Sequence, residues 1–494
     1  MLAQSDIKTI DTFLAYLKRL DNLSMFIYQN HTFSYADMYN YAYTISKWLS
    51  ENKAHKLMFA LHNSPFSVGL FLASWQQKIE CAAVNPRFVA NELLDLIKKF
   101  KPNMLIIEPQ QHSKALYDCC QSCNIKLIIV DNALDYLHNL KESTNTSIVY
   151  KSPKKPEGIT YHISSGTDGH YNFYGHYTHQ ILAYAYARQF DYGLQKGDVS
   201  LVHLLFNHAY AFSYQLLPNI ALGNCMLLAP SFDAEASLKL IKRYQVSALA
   251  LLPTMYYQLA SAAKKNLLKH KLKHLSVAGD QPSQALIYLV KDTFKTPLLN
   301  GLGMTELYGY AQNLTENNVY NKIKIFDDIQ IKIKPIDHDK IQHLNSAKLH
   351  HVGQLYIKAP MQPISHQGKW LATGDYGYID DTQHLYFLGR IKDIIIKSGS
   401  KISPLELEHC LYQLPIIEQV AIVGKKDNVW GELICACIVT KENATLTLDT
   451  LNTFLTPFLA KYKHIDQIFP YLKFPLNISG KIDRFRLKIE IDNA

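Results

Sequence analysis

Apolar positions in the first 150 residues follow two alternating rhythms. Asp37–Leu49 (DMYNYAYTISKWL), Phe66–Gln76 and Asn91–Phe100 carry them at three- and four-residue spacing, which predicts helices with a buried face. Between them stand short apolar runs at Leu57–Leu61, Cys81–Val84, Met104–Ile107 and Lys126–Val130, of strand length. Strands apolar on both faces and separated by helices are what a parallel sheet covered on both sides requires. The rhythm resumes at Ala234–Tyr244 (helix), Ala248–Leu252 (strand), Thr254–Lys264 (helix) and Ser276–Ala278 (strand). From Asn317 to Tyr356 strict alternation takes over (KIKIFDDIQIKIKPID), predicting a small antiparallel sheet or barrel. Beyond Gly389 come predicted strands at Asp393–Lys397, Val420–Val423 and Ile434–Val439, with helices at Pro404–Gln413 and Leu448–Lys461. The expected fold is α/β. A large N-terminal domain (1–388) holds layered α/β subdomains plus a small β-barrel, and a small C-terminal α+β domain (389–494) follows.

Composition narrows the classes. With 494 residues, 48% hydrophobic and 19% charged, the chain is too apolar for disorder and long enough for two or three domains. The net charge of +9 is spread as single Lys residues, and its densest stretch, Lys264–His274, reads as a solvated helix face. Arg is scarce, so no nucleic-acid partner is expected. The start, MLAQSDIKTID, lacks a signal-peptide pattern, and the most apolar stretch, His208–Pro230, is broken by Pro218, Asn219, Gly223 and Asn224. No membrane span is expected. Eight Cys in so long a chain are no disulfide scaffold, and Cys119, Cys120 and Cys123 lack a second pair at zinc spacing. Reduced thiols and a cytoplasmic location are the expectation.

Four stretches carry chemistry. The apolar run Ile159–Ile163 enters Ser164, Ser165, Gly166, Thr167, Asp168 and Gly169, and a helix opens near Thr178. Small residues let backbone N–H groups curl around an anion while hydroxyls add donors, as a phosphate cradle needs. In NGLGMTE, Gly301 and Gly303 permit close backbone approach, and Thr305 sets a hydroxyl beside the Glu306 carboxylate, a hard-oxygen ligand suited to Mg²⁺. Asp375 in ATGD can accept from a ribose diol, and Arg390 offers a fixed fork to sugar or phosphate. In NISGKIDR, Gly480 presents Lys481 on a turn. Each stretch alone is also what an ordinary surface turn contains.

Together, in this order, the four resemble the adenylate-forming superfamily of acyl- and aryl-CoA synthetases, peptide-synthetase adenylation domains and luciferases. Its motifs read approximately SSGTTGxPKG, YGxTE, TGD, GRxKDxIxxxGxxIxPxEIE and PxxxxGKxDR. HTFSYADM, HNSPFSVGLFLASW, LFNHAYAF and FDAEASLKLIKRYQVSALALLPTMYYQL extend the likeness along the chain. VAGDQPSQALIYLVKDTF followed by NGLGMTE looks most like the benzoate-CoA ligase branch.

The resemblance implies ATP-dependent formation of an acyl- or aryl-adenylate and then a thioester, with ATP, Mg²⁺ and CoA as participants. The phosphopantetheine of a carrier protein is the alternative acceptor, and the donor is an aromatic or medium-chain acid. Lys481 would bridge the carboxylate and the α-phosphate, and Glu306 would hold Mg²⁺. Thr305 and the loop Ser164–Gly169 would donate to phosphates, and Asp375 with Arg390 would fix the ribose. Asn300, Gly279, Gly301, Leu302 and Gly303 would frame adenine. His208, Ala278 and Gly303 would line the acyl pocket. Lys392 would be the hinge of a mobile C-terminal cap, and Ser398 and Gly399 would line the CoA tunnel. A monomer or homodimer is expected.

Three positions depart from the loop pattern: Asp168, Tyr171, and Asn172 where the family has Lys. His162, His170, His176 and His179 crowd the same region, as a metal site, as ordinary histidines, or with one imidazole replacing the missing lysine. The altered loop also leaves a degenerate nucleotide-binding homologue, without turnover, as the rival reading.

Overall fold

The computed structural model describes residues 1–143, 157–165, 171–229, 231–265, 270–280, 282–313, 322–335, 352–441, 444–477 and 480–493. Three sheets organise the chain. The first runs Lys126–Ile129, Met104–Ile107, Lys56–Ala60, Glu80–Ala83, Ile159–Ser165 and Tyr171–Tyr177 in spatial order, all neighbours parallel except the last pair. Met58, Ala82 and Leu105 face one core and Leu57, Phe59 and Cys81 another, so the strands are buried on both sides, as their unbroken apolar runs require. The helices Tyr35–Glu51, Pro65–Gln76 and Ala90–Phe100 contain the three predicted segments, lengthened to their caps: Ser34 accepts from Asp37 N–H, and Ser64 from Ser67 N–H.

In the second sheet, His274–Val277, Ala248–Leu251, Val199–Val202, Cys225–Leu228 and Ser24–Tyr28 form a parallel run behind Leu298–Met304. The segment expected to be a small barrel continues this sheet as an antiparallel run. Its strands are Gln330–Pro335, Gly353–Lys358, Leu371–Ile379, His384–Arg390, Lys322–Ile325 and Tyr308–Gln312. Among the described residues its outer strand, Gln330–Pro335, does not pair back onto Leu298–Met304.

The third sheet joins Ser400–Ile402, Ile395–Lys397, Gly431–Thr440, Ile417–Asp427 and Gln467–Pro470 around cores of their own. Here two predicted bounds shift. Asp393 closes a 3-10 turn, Ile391–Asp393, and the strand starts at Ile395. The helix at Leu448 ends at Leu455, since Pro457 cannot continue it. No described helix is long and apolar enough to cross a membrane. His208–Leu228 is a buried π-helix (Ala211–Leu216), a short helix (Leu217–Leu222) and a strand.

Candidate active site

The candidate residues lie on strands and on the turns that join them. Ser164 and Ser165 end the strand Ile159–Ser165, with Asn172 and Tyr171 as their cross-strand partners. Gly166, Thr167, Asp168, Gly169 and His170 lie outside the described residues. The return strand Tyr171–Tyr177 was not anticipated. Gly175 makes its pairing possible, because a Cβ there would approach the Tyr161 ring to 2.7 Å. On this strand the Tyr174 hydroxyl donates to Glu306 and accepts from Ser164, which ties the phosphate side to the Thr305–Glu306 turn. Burial and the Glu306 charge push the Tyr174 phenol up to about 12.

Thr305 and Glu306 follow Leu298–Met304, whose Asn300 is buried and whose Gly301 pairs with Gln312. Gly303 is required sterically, since a Cβ would meet the Tyr308 carbonyl oxygen at 2.8 Å. Leu302 packs half-buried against the core around Leu307 and Tyr310. Among the described residues no three His, Cys, Asp or Glu side chains cluster as a metal site. A single carboxylate among hydroxyls is nevertheless the hard-oxygen donor set of an ion that takes its other ligands from phosphate and water, so Glu306 fits Mg²⁺.

Asp375 and Arg390 pair across neighbouring strands, Nε to Oδ1 at 3.0 Å, and the buried Tyr310 hydroxyl donates to Oδ2 at 3.4 Å. Burial pushes the Asp375 carboxyl up to about 6 against the pull of Arg390.

Lys481 comes from the third sheet's domain. Asn477 holds its turn: its carbonyl accepts from Gly480 N–H at 2.9 Å and its side-chain oxygen from Lys481 N–H at 3.1 Å. Gly480 takes φ +80°, and its carbonyl accepts from the Thr254 hydroxyl at 3.3 Å. Lys481 then lies against Gly279 (φ +88°), where a Cβ would meet its Cε at 3.3 Å and Nζ at 3.7 Å. Burial pulls this ammonium below its ordinary pKa, with Asp280 opposing and Arg390 and Lys392 adding to the shift. Burial and the charges of Lys481 and Arg87 drive the half-buried His208 down to about 4, so it stands neutral. Leu252, Asp280, Tyr412, Lys481 and Arg484 line an interdomain cavity of about 330 Å³.

The structure thus sets Gly279 against Lys481, with Arg390, Lys392 and His208 within electrostatic reach of it and Asp375 paired to Arg390, and it separately ties Ser164 to Glu306 through Tyr174. Ser398 (φ +48°) and Gly399 (φ +78°) instead form an exposed hairpin tip, where Ser398 N–H donates to the Trp430 carbonyl at 2.8 Å. The crowded histidines separate. His162 and His176 are fully buried, with Tyr308 Oη 3.0 Å from His162 Nδ1, and burial drives His176 down to about 3 and His162 well below its ordinary value. Neutral core imidazoles supply no cation, so neither replaces the loop lysine. His179 pairs with Glu157 at 2.7 Å on the surface. Sequence reasoning missed Tyr174, Tyr310 and Asp280, for which no local pattern offered a signal.

The family profile described as AMP-binding enzyme matches residues 16–362, and that of the AMP-binding enzyme C-terminal domain matches 406–481. A curated relative, 4-coumarate–CoA ligase 1 of Arabidopsis thaliana, is 27% identical over 94% of this chain and 89% of its own length. A 2-succinylbenzoate–CoA ligase of Lactococcus lactis is 30% identical over 52% of this chain and 54% of its own. Among solved structures, ATP-bound MatB from Rhodopseudomonas palustris superposes with a TM-score of 0.83 at 18% identity, covering 97% of this chain and 99% of that one. The o-succinylbenzoate CoA synthetase MenE from Bacillus subtilis, in complex with its acyl-adenylate intermediate, gives 0.80 at 21% identity over 96% and 97%. On the span of the first profile, the chain belongs to the AMP-binding enzyme family.

Proposed function

We propose that the protein is an ATP-dependent acid–thiol ligase that converts a carboxylic acid to its acyl-AMP and then to the CoA thioester. The observation that carries this is the seating of Lys481 against Gly279, with Arg390 and the buried Asp375 beside it. A carboxylate is a poor electrophile because oxide is a strongly basic leaving group. In the first step a carboxylate oxygen bonds to the α-phosphorus of ATP and the bridge to the β-phosphate breaks, releasing pyrophosphate. Both reactants are anions, so the protein's work is charge compensation and in-line placement.

Lys481 holds the carboxylate and an α-phosphate oxygen together. Ser164 and Thr305 donate to phosphate oxygens, Asp375 accepts from the ribose diol, and Arg390 braces Asp375. Asn300, Gly301, Leu302, Gly303 and the Gly279 backbone frame the base. Mg²⁺, held by Glu306, would neutralise charge on the departing pyrophosphate.

For the second step Lys481 must withdraw, and we place the pivot at Lys392, in the turn Ile391–Asp393. The exposed Ser398–Gly399 tip would then line the path of the thiol. Both acids named for the relatives, 4-coumarate and 2-succinylbenzoate, carry an aromatic ring. A neutral His208 and Ala278 suit an aromatic donor, and CoA is the acceptor in those names. All eight cysteines are free, which fits a reducing, cytoplasmic setting.

Pyrophosphate exchange into ATP, run against a panel of aromatic and medium-chain acids, tests the proposal. Exchange that depends on one class of acid is expected. Binding of ATP with no exchange for any acid would establish the degenerate homologue instead.

A further inference from the structure

Thr305 and Glu306 sit at the tip of a hairpin between Leu298–Met304 and Tyr308–Gln312, in which Met304 pairs with Tyr308 and Gly303 with Gly309. Across that tip Leu307 N–H donates to the Met304 carbonyl at 3.2 Å. Tyr308 closes the turn in the left-handed region, at φ +60°. Glycine holds that conformation at no steric cost. A bulky side chain there is strained, and it persists where the surrounding structure fixes it.

Tyr308 is fixed from several sides. Fully buried, its ring meets those of His162, Tyr184 and Phe212 edge-on, with centroids 5.2, 5.3 and 5.9 Å away. A fourth ring, His176, lies tilted against it at 4.8 Å. The Tyr308 hydroxyl pairs with His162 Nδ1 at 3.0 Å, and the next residue, Gly309, donates its N–H to the Tyr184 hydroxyl at 3.0 Å. His162 stands two residues before Ser164 in the strand Ile159–Ser165, so the two side chains leave the same face of that strand. Tyr308 belongs to the second sheet and His162 to the first. Their contact therefore joins the hairpin of Thr305 and Glu306 to the strand of Ser164.

We propose that Tyr308 is a positioning residue for the phosphate side of the ATP site, its ring and hydroxyl locking the Thr305–Glu306 turn at a fixed separation from Ser164. The groups that would meet one triphosphate come from two different sheets, and small shifts between those sheets would pull them apart. Held in place before ATP arrives, they need no reorganisation during the reaction. The left-handed backbone at Tyr308 is the strain that this placement costs. The inference rests on the reading of Ser164, Thr305 and Glu306 as groups directed at the phosphates and their metal ion.

The test sets MgATP against AMP, which lacks the β- and γ-phosphates, by isothermal titration. Tyr308→Phe keeps the ring and removes the hydroxyl. It should weaken MgATP binding by about tenfold, the scale of one buried hydrogen bond, and leave AMP binding within about twofold. Tyr308→Gly accepts the left-handed backbone without strain but loses the ring, and its MgATP loss should be larger. A merely structural role is separated by Tyr308→Phe with His162→Leu, which removes both members of the buried pair. Its melting temperature should return towards wild type while the MgATP deficit stays. Phe13→Leu, elsewhere in the same core, should lower the melting temperature and leave the ATP-to-AMP affinity ratio as it was. The inference is overturned if Tyr308→Phe leaves that ratio unchanged, if Tyr308→Gly binds MgATP as tightly as wild type, or if the ratio recovers with stability in the double variant. An equal fall of the ratio in Phe13→Leu overturns it as well. A wild-type protein that binds neither nucleotide overturns the ATP-site reading itself, a result distinct from all of these.

Discussion

At the scale of single residues the site is a set of charges held away from their usual protonation behaviour. Lys481 is the sharpest case, since its ammonium is useful only where it touches both anions. Lys481→Ala should slow acyl-AMP formation by about a hundredfold or more, the loss typical of a removed transition-state contact. Thioester formation from supplied acyl-AMP should survive, and equal damage to both half-reactions would refute the assigned role. Asp375 yields a pH signature. Its carboxyl titrates near 6 because burial disfavours the anion. In the proposed site the ribose diol donates to that anion, so KM for ATP should rise as pH falls through 6, and Asp375→Asn should flatten the profile while raising KM throughout. The stability effect has the opposite sign. A raised carboxyl pKa means that ionisation costs more in the fold than in the unfolded chain, so this group's penalty sets in between about pH 4 and 6 and vanishes below. In the unliganded protein, the stability difference between wild type and Asp375→Asn should shift in favour of wild type as pH drops across that window.

Among elements, the turn that carries Lys481 leads into a helix anchored by a buried ion pair. Arg484 opens the helix Arg484–Asp492 and forks onto Glu408 of the helix Pro404–Leu411, at 2.7 and 2.9 Å. Glu408 is buried and also accepts from Ile422 N–H at 2.7 Å. Removing the guanidinium strands a buried carboxylate, so Arg484→Ala should cost about 3 kcal/mol in urea denaturation. Glu408→Gln with Arg484→Met keeps the acceptor for Ile422 without the charge and should recover most of that. Elements of this kind were legible wherever one face is buried: Asp37–Leu49 predicted the helix Tyr35–Glu51, and Met104–Ile107 is a strand in full. Tyr171–Tyr177 was not, because its aromatic residues read as loop between a glycine-rich turn and the helix at Thr178. The site divides the same way. Asp375, Arg390 and Lys481 sit in short motifs whose residue types announce their chemistry. Tyr174 owes its position to the return strand's register and to a contact with a distant turn, and no local pattern encodes either.

At the scale of the whole molecule, the proposed function asks the crevice that Lys481 enters to serve two reactions with different nucleophiles. Lys481, from the domain of the third sheet, occupies the crevice, while Ser398 and Gly399 of the same domain face solvent. On the proposed function that arrangement suits adenylate formation, and we propose that the domain rotates before the thiol step. The connection follows Arg390, which is committed to Asp375, and precedes Ile395, whose strand belongs to the third sheet. The turn Ile391–Asp393 and Ile394 are free of both sheets, and Lys392 is the exposed centre of that turn. A 3-10 turn has φ near −60°, a value proline also holds, so Lys392→Pro should preserve the present arrangement while forbidding the φ change that rotation needs. Pyrophosphate exchange should stay within a fewfold of wild type, and thioester formation from supplied acyl-AMP should drop by about a hundredfold. Loss of both would show that the substitution broke the turn, and loss of neither would move the pivot elsewhere. Lys392→Ala, which removes the side chain but not the backbone freedom, should leave both half-reactions near wild type and so separate torsion from charge.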